Sequence, residues 1–205
     1  HHINGDDKMR YDSDHKSETR KRVLTEAARD IRAKGPSGIA VAGIMARAGL
    51  THGGFYAHFK SKDDLIAEAI GTMFDDARGR FDKVMAESDP AAALRLYLDF
   101  YLSPRHRDSR ERGCPLPALS SDLARLDPIP RARFGEGVTA LTNRLADALD
   151  RHGIADATVA ASSMLSEMVG AVSLARAVDD PAQSDAILTN ASAMLRQRLR
   201  LEVAA

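Results

Sequence analysis

The chain has 205 residues, a single cysteine and a formal net charge of zero, with 44% hydrophobic residues. That length buries a proper core and suits one domain or a body with a small module, while one cysteine forbids an intrachain disulfide, in keeping with a reducing compartment. The neutral total hides an asymmetry: residues 9–62 carry a net +6 and residues 63–205 a net −5, the pattern of a phosphate-binding head on a body that does not bind phosphate.

His1 to Lys8 read as the remnant of an expression tag, with Met9 as the expected native start. From there the apolar spacing is helical throughout, and no stretch alternates as a strand does. The first helix is expected from about Ser17 to Lys34, with Leu24, Ala27, Ala28 and Ile31 on one face and Gly35-Pro36 as its stop. Val41, Ile44, Met45 and Ala48 give a short second helix, Gly49-Leu50 turns the chain, and Thr51 is placed to cap a short third helix that buries Phe55 and Phe59. Ser61 and Asp64 form a capping-box-like start for a long fourth helix carrying Leu65, Ile70, Phe74 and Phe81, which links head to body. Asp89-Pro90 and Asp180-Pro181 pair a good N-cap with a proline suited to the first helical position. Further helices are expected at roughly 90–103, 115–126, 130–152, 156–178 and 181–201. Pro104 to Pro117, rich in charge and proline, reads as a loop or broken helix forming a ligand-entrance wall. No apolar run approaches the roughly 18 residues of a membrane span and no secretory leader is evident, so a cytoplasmic protein is expected.

The fold class that follows is all-α: a three-helix helix-turn-helix head at residues 9–62, then a helical-bundle body at 63–205 for effector binding and dimerisation. In such a head the third helix enters the major groove of DNA. Gly53 and Gly54 thin its exposed face. A glycine inside a helix costs about 1 kcal/mol relative to alanine, so the pair argues for a contact surface; a plain loop is the competing reading.

The run Ile44-Met45-Ala46-Arg47-Ala48-Gly49-Leu50-Thr51-His52-Gly53-Gly54-Phe55-Tyr56-Ala57-His58-Phe59-Lys60-Ser61-Lys62-Asp63-Asp64-Leu65 resembles the signature of the tetracycline-repressor (TetR) family. The resemblance implies a homodimeric transcription regulator, usually a repressor, that leaves a palindromic operator when a small molecule binds. It also implies that Thr51, His52, Gly53 and Gly54 face the major groove, with His52 the leading base reader, and that Tyr56, His58, Lys60 and Lys62 bind backbone phosphates. Independently of the family, a phenol and an imidazole donate hydrogen bonds to phosphate and lysines release counterions. The sequence departs from the pattern where helix two opens on Ile39-Ala40-Val41 without a hydroxyl, and Gly43 replaces a polar residue inside it.

In the body, Leu165, Met168, Val169 and Val172 on one C-terminal segment and Leu188, Ala191, Met194, Leu195 and Leu199 on the other read as a surplus of apolar surface, hence a four-helix dimer face; a purely internal core is the lesser alternative. Tyr97, Phe100 and Tyr101 with Cys114, Phe134, Met164 and Met168 read as a pocket for a small apolar or aromatic effector, or as ordinary core. Arg110 and Arg112 are placed to lower the pKa of Cys114. Gly113-Cys114-Pro115-Leu116 is similar to the segment bearing a reactive cysteine in electrophile-sensing members of the family. This gives an alternative electrophile or redox sensor, while a buried, inert cysteine is the leading reading. No metal-ligand spacing, phosphate loop or nucleophile elbow is present, so neither an enzyme nor a cofactor is expected; a helical interaction module is the remaining alternative.

Overall fold

In the computed structural model, residues 5–87 and 89–202 are described; residues 1–4 of the expected tag remnant and the last three of the body lie outside them. Every regular element among the described residues is helical. The head comprises α1 (Gly5–Lys34), α2 (Val41–Arg47) and a 3-10 turn at His52–Ala57, and α3 (Lys62–Glu87) leaves it for the body. There follow α4 (Pro90–Tyr101), α5 (Pro104–Asp108), a short turn at Arg110–Arg112, α6 (Pro115–Leu123), α7 (Pro128–Arg151), α8 (Ala157–Ala177) and α9 (Pro181–Arg198).

The local signals explain most boundaries. Asp89 accepts from the backbone N–H groups of Ala91 and Ala92, both at 3.1 Å, and Asp180 accepts from those of Ala182 and Gln183. Each aspartate thereby satisfies two amides that helix geometry leaves without partners. At the start of α3 the Asp64 amide donates to Ser61 Oγ at 3.1 Å, and the Asp64 carboxylate accepts from the Lys60 amide at 2.9 Å. After α2 the chain turns through Gly49 at φ +76°, with the Leu50 amide donating to the Met45 carbonyl at 2.9 Å. Glycine is needed there because an L side chain is strained in the left-handed region.

Two expectations need correction. The first helix begins at Gly5, twelve residues before Ser17, because the polar run that precedes the apolar face contains no helix breaker. The third helix is a 3-10 turn, and Thr51 makes no side-chain cap bond to it, since so short a turn is held by the burial of Phe55 and Phe59. The segment after α4 takes the second of its two expected forms, a broken helix: Ser103 caps α5 by accepting from the His106 amide at 3.1 Å.

The core is continuous from head to body. Val23, Ala27 and Ile31 of α1 meet Ile44 and Met45 of α2, Phe55, Phe59 and the first turns of α3; further along, Phe74 and Phe81 of α3 meet α4 and α7. By length and composition α8 reaches a membrane span, with a mean hydropathy of 1.3 over 18 residues, contrary to the reading of the sequence. Its apolar side is spent in the core, where Met164, Leu165, Met168 and Val172 are buried, and its Glu167 pairs with Arg198 at 2.7 Å.

Candidate nucleic-acid interface and the interior of the body

The 3-10 turn at His52–Ala57 is a platform with one side anchored and the other open. Phe55 and Phe59 stack at 5.6 Å between centroids and are almost wholly buried. Burial of two phenyl rings contributes several kcal/mol to fixing the turn. The residues around them point outward: Thr51, His52, Gly53 and Lys60 are exposed, and Tyr56 is 75% exposed. An exposed tyrosine packed edge-on against buried Phe55 at 5.2 Å has its ring held and its hydroxyl free. A Cβ built on Gly53 meets nothing within 4 Å, and one on Gly54 meets only Thr51 Oγ1 at 3.8 Å and Met45 Cε at 4.0 Å. The fold itself therefore has no need of glycine at either position, and the pair leaves backbone accessible to an outside surface.

The other sequence candidates are held differently. Lys62 Nζ donates to the Ile39 carbonyl at 3.0 Å, which sets its charge beside the start of α2. That helix has Ala40 at its N-cap and no side-chain cap, as its missing hydroxyl requires. His58 is half-buried with Nδ1 unpartnered, and burial, with the charges of Lys16 and Arg20, holds its pKa below the usual imidazole value. Gly54 is half-buried.

Two arginines that the sequence did not single out fix this platform. Arg20 donates to the His58 carbonyl and to Glu68, with its guanidinium 4.4 Å from the centroid of the Phe59 ring. It joins α1, the end of the turn and α3 in one contact. Arg47 joins α2 to α1 through Glu26 at 2.8 Å and Asp30 at 2.6 Å. Only a local basic run, Arg20-Lys21-Arg22, marks the first in the sequence, and its partners lie 38 and 48 residues away.

In the body, Tyr97, Tyr101, Cys114, Met164 and Met168 come together as expected, but in closed packing. Phe100 instead turns outward, 41% exposed, beside the His106 ring at 5.3 Å, because it lies at the edge of the buried face of α4 that carries Tyr97 and Tyr101. Phe134 is half-buried and packs edge-on against Phe74 at 5.5 Å. Cys114 follows its inert reading and not the sensor alternative: the thiol is buried, and burial raises its pKa, outweighing the Tyr101 hydroxyl, the Leu116 backbone and distant arginines. Tyr97 and Tyr101 are likewise pushed up by burial and then by Cys114, and the Tyr101 hydroxyl faces the Cys114 thiol without a well-formed hydrogen bond to any group. The dimer-face residues fare similarly. Leu165, Met168, Val172, Leu188, Leu195 and Leu199 are buried inside the chain, and only Met194 of that set is well exposed, at 57%.

His106 closes this interior. Its Nδ1 lies 2.7 Å from the Tyr101 carbonyl, and its Nε2 accepts from the Cys114 amide at 3.1 Å. One carbonyl and one amide fix the neutral ring with its proton on Nδ1. Burial first, and then the charges of Arg176 and Arg80, lower its pKa, against the opposing effect of the Tyr101 carbonyl. The native state thus binds the proton less well than the unfolded chain does. Stability is expected to fall as pH drops below the unfolded imidazole value of about 6.5 and to go on falling until the lower native value is passed, with a slope of at most about 1.4 kcal/mol per pH unit from this group. Urea midpoints between pH 7.5 and 5 check this: His106→Gln should be less stable at pH 7.5 but show a shallower slope, and an unchanged slope would assign the acid sensitivity elsewhere.

Residues 23–69 match the model of a family described as bacterial regulatory proteins, tetR family. No curated protein matches the chain. Among solved structures, a TetR transcriptional regulator from Chloroflexus aurantiacus is 26% identical, with a TM-score of 0.74 over 90% of this chain and 97% of that one. A transcriptional regulator of the TetR family from Agrobacterium tumefaciens is 23% identical, with a TM-score of 0.74 over 89% and 98%. NemR of E. coli in its reduced form shares the fold, with a TM-score of 0.77 at 19% identity over 88% and 96%.

Proposed function

Because the chain belongs to the TetR family of bacterial regulators, we propose that it acts in the cytoplasm as a ligand-responsive repressor that binds a palindromic operator as a dimer. The observation that carries this reading is the outward face at Thr51 to Tyr56, rigidly backed by Phe55 and Phe59 and thin at Gly53 and Gly54. Thr51 and His52 approach base edges. Tyr56, Lys60 and the half-buried His58 contact phosphates, and Lys62 adds charge at the start of α2 without leaving the Ile39 carbonyl.

Dimerisation uses the outer side of α8 and α9, where Val159, Leu174 and Met194 are exposed. A two-fold pair sets two recognition elements about 34 Å or more apart, as successive major grooves require. The core around Tyr101, whose unpartnered hydroxyl is one polar anchor, admits a small apolar or aromatic effector when the helices around it part. Effector binding moves α3, which runs from head to body, and so alters the separation of the two heads. An electrophile sensor acting through Cys114 is not favoured, since burial opposes the thiolate.

Fluorescence anisotropy with duplexes from the promoter region of the chain's own gene tests the function. Affinity should fall steeply with salt and exceed that for random duplex. Tyr56→Phe should lose several-fold in affinity, and Lys60→Ala should lower the salt slope by about 1. Equal affinity for all duplexes would remove the operator reading, and unchanged behaviour of both variants would remove the phosphate assignments.

A further inference from the structure

Between α1, α3 and the Arg110–Arg112 turn lies a cavity of about 540 Å³, a size typical of small-molecule sites. Its walls are dominated by arginine: Arg29 and Arg32 from α1, Arg80 from α3 and Arg112 from the turn. Three carboxylates also face it, but two of them have partners at short range. Glu111 pairs with Arg29 at 2.6 Å, and Glu26 pairs with Arg47 at 2.8 Å; Arg47 is not among the residues lining the cavity. Asp76 is the third, and Arg32 Nη2 stands 3.6 Å from it.

The remaining cations are poorly matched. Among the described residues neither Arg80 nor Arg112 has a carboxylate within 4.0 Å, and neither guanidinium donates to a protein acceptor. The Arg32 side chain is only 6% exposed, and its Nε is buried with no hydrogen-bond partner. A buried guanidinium N–H left unmade is costly, and a planar fork of donors suits an oxyanion that accepts two bonds at once. No aromatic side chain lines the cavity, so an apolar effector has nothing to stack on there.

We propose that this junction is a binding site for a small organic oxyanion, a carboxylate or a phosphate monoester, held by Arg32, Arg80 and Arg112. The site is separate from the apolar interior around Tyr101, and it joins the head helix α1 to the body. A bound oxyanion supplies the acceptor that Arg32 Nε lacks and draws α1, α3 and the turn together. Its regulatory meaning rests on the proposed function; its capacity to bind anions does not.

The test is thermal melting of the full chain with succinate, glycerol 3-phosphate or inorganic phosphate as probes, each against sodium chloride at equal ionic strength and with succinamide as the uncharged control. Binding to the folded state raises the melting temperature in a saturable way. The expected result is such a rise with at least one oxyanion and none with succinamide or chloride. Succinate alone acting assigns a carboxylate site, whereas glycerol 3-phosphate or phosphate acting assigns a phosphate site. Arg80→Gln, at an exposed position, should weaken the response at least tenfold, and Arg32→Gln should abolish it. A rise no larger than that with chloride for every probe overturns the proposal, as does an unchanged response in Arg80→Gln. Operator affinity measured with and without the active anion reads the coupling separately: loss of DNA binding in all conditions would count against the regulator reading while leaving the melting result intact.

Discussion

Gly137→Ala is expected to destabilise the protein by about 2 kcal/mol even though alanine is the better helix former. Gly137 is buried in the middle of α7, where that helix crosses α3. A Cβ there would fall within the ring of Phe74, overlapping several of its atoms. Phe74 is itself 1% exposed and packed edge-on against Phe134, so it has no open space into which to swing. Replacing glycine by alanine in a helix gains about 1 kcal/mol, whereas forcing extra volume into a packed core costs typically 1–3 kcal/mol and can cost more when a ring must leave its rotamer. Overpacking should therefore win. Gly71, on the same face-to-face contact between α3 and α7, is the control: a Cβ there meets the Arg133 guanidinium at 2.7 Å, the far end of a flexible side chain that moves cheaply, so Gly71→Ala should be nearly neutral. Urea unfolding measures both. A Gly137→Ala protein as stable as wild type would mean that α3 and α7 are free to slide apart, and Phe74→Leu should restore much of the loss if the clash is the cause. Because α3 also carries the head, the same variant should shift operator affinity.

Gly53→Val should produce the opposite combination, with stability retained and operator affinity reduced at least tenfold. Nothing in the chain lies within 4 Å of a Cβ at this position, so the added side chain projects into solvent and the melting temperature should barely move. On the proposed docking the same atoms would occupy the space between the turn and the groove floor, where one well-made base contact is worth about 1–3 kcal/mol. His52→Ala separates two ways of reading sequence. If histidine hydrogen bonds dominate, it abolishes the preference for operator over random duplex. If backbone fit and DNA shape dominate, the preference survives with reduced affinity. A Gly53→Val protein that binds operator like wild type would show that the glycine pair is not there for close approach.

The difference between these two glycines shows what local reasoning reaches. The starts of α4 and α9 were legible because an N-cap acts on amides two and three residues away, so Asp89 and Asp180 carry their own explanation. The burial of Phe55 and Phe59 was legible from helical spacing, and the resemblance of Ile44 to Leu65 to one family's signature is borne out by the match over residues 23–69. The amino-acid sequence by itself thus determined the helical class, the position of the segment that matches the family and most helix boundaries, all of which depend on neighbours within about four residues or on a contiguous motif.

Tertiary structure decided what depends on partners distant in the chain. Arg20 clamps the turn through residues 38 and 48 positions away, and Arg29 meets Glu111 across 82. The apolar residues of α8 and α9 looked like surplus because a sequence does not count how many helices will compete for them; α7, α8 and α9 consume Leu165, Met168, Leu188 and Leu195 internally. Cys114 has arginines nearby in sequence, yet its side chain is buried, and desolvation outweighs their charge. The arginine-lined junction was equally invisible, since its walls come from three segments that only the fold brings together. Capping and periodicity act over one helical turn, whereas burial and charge pairing are settled by three-dimensional neighbours, which the order of residues does not disclose.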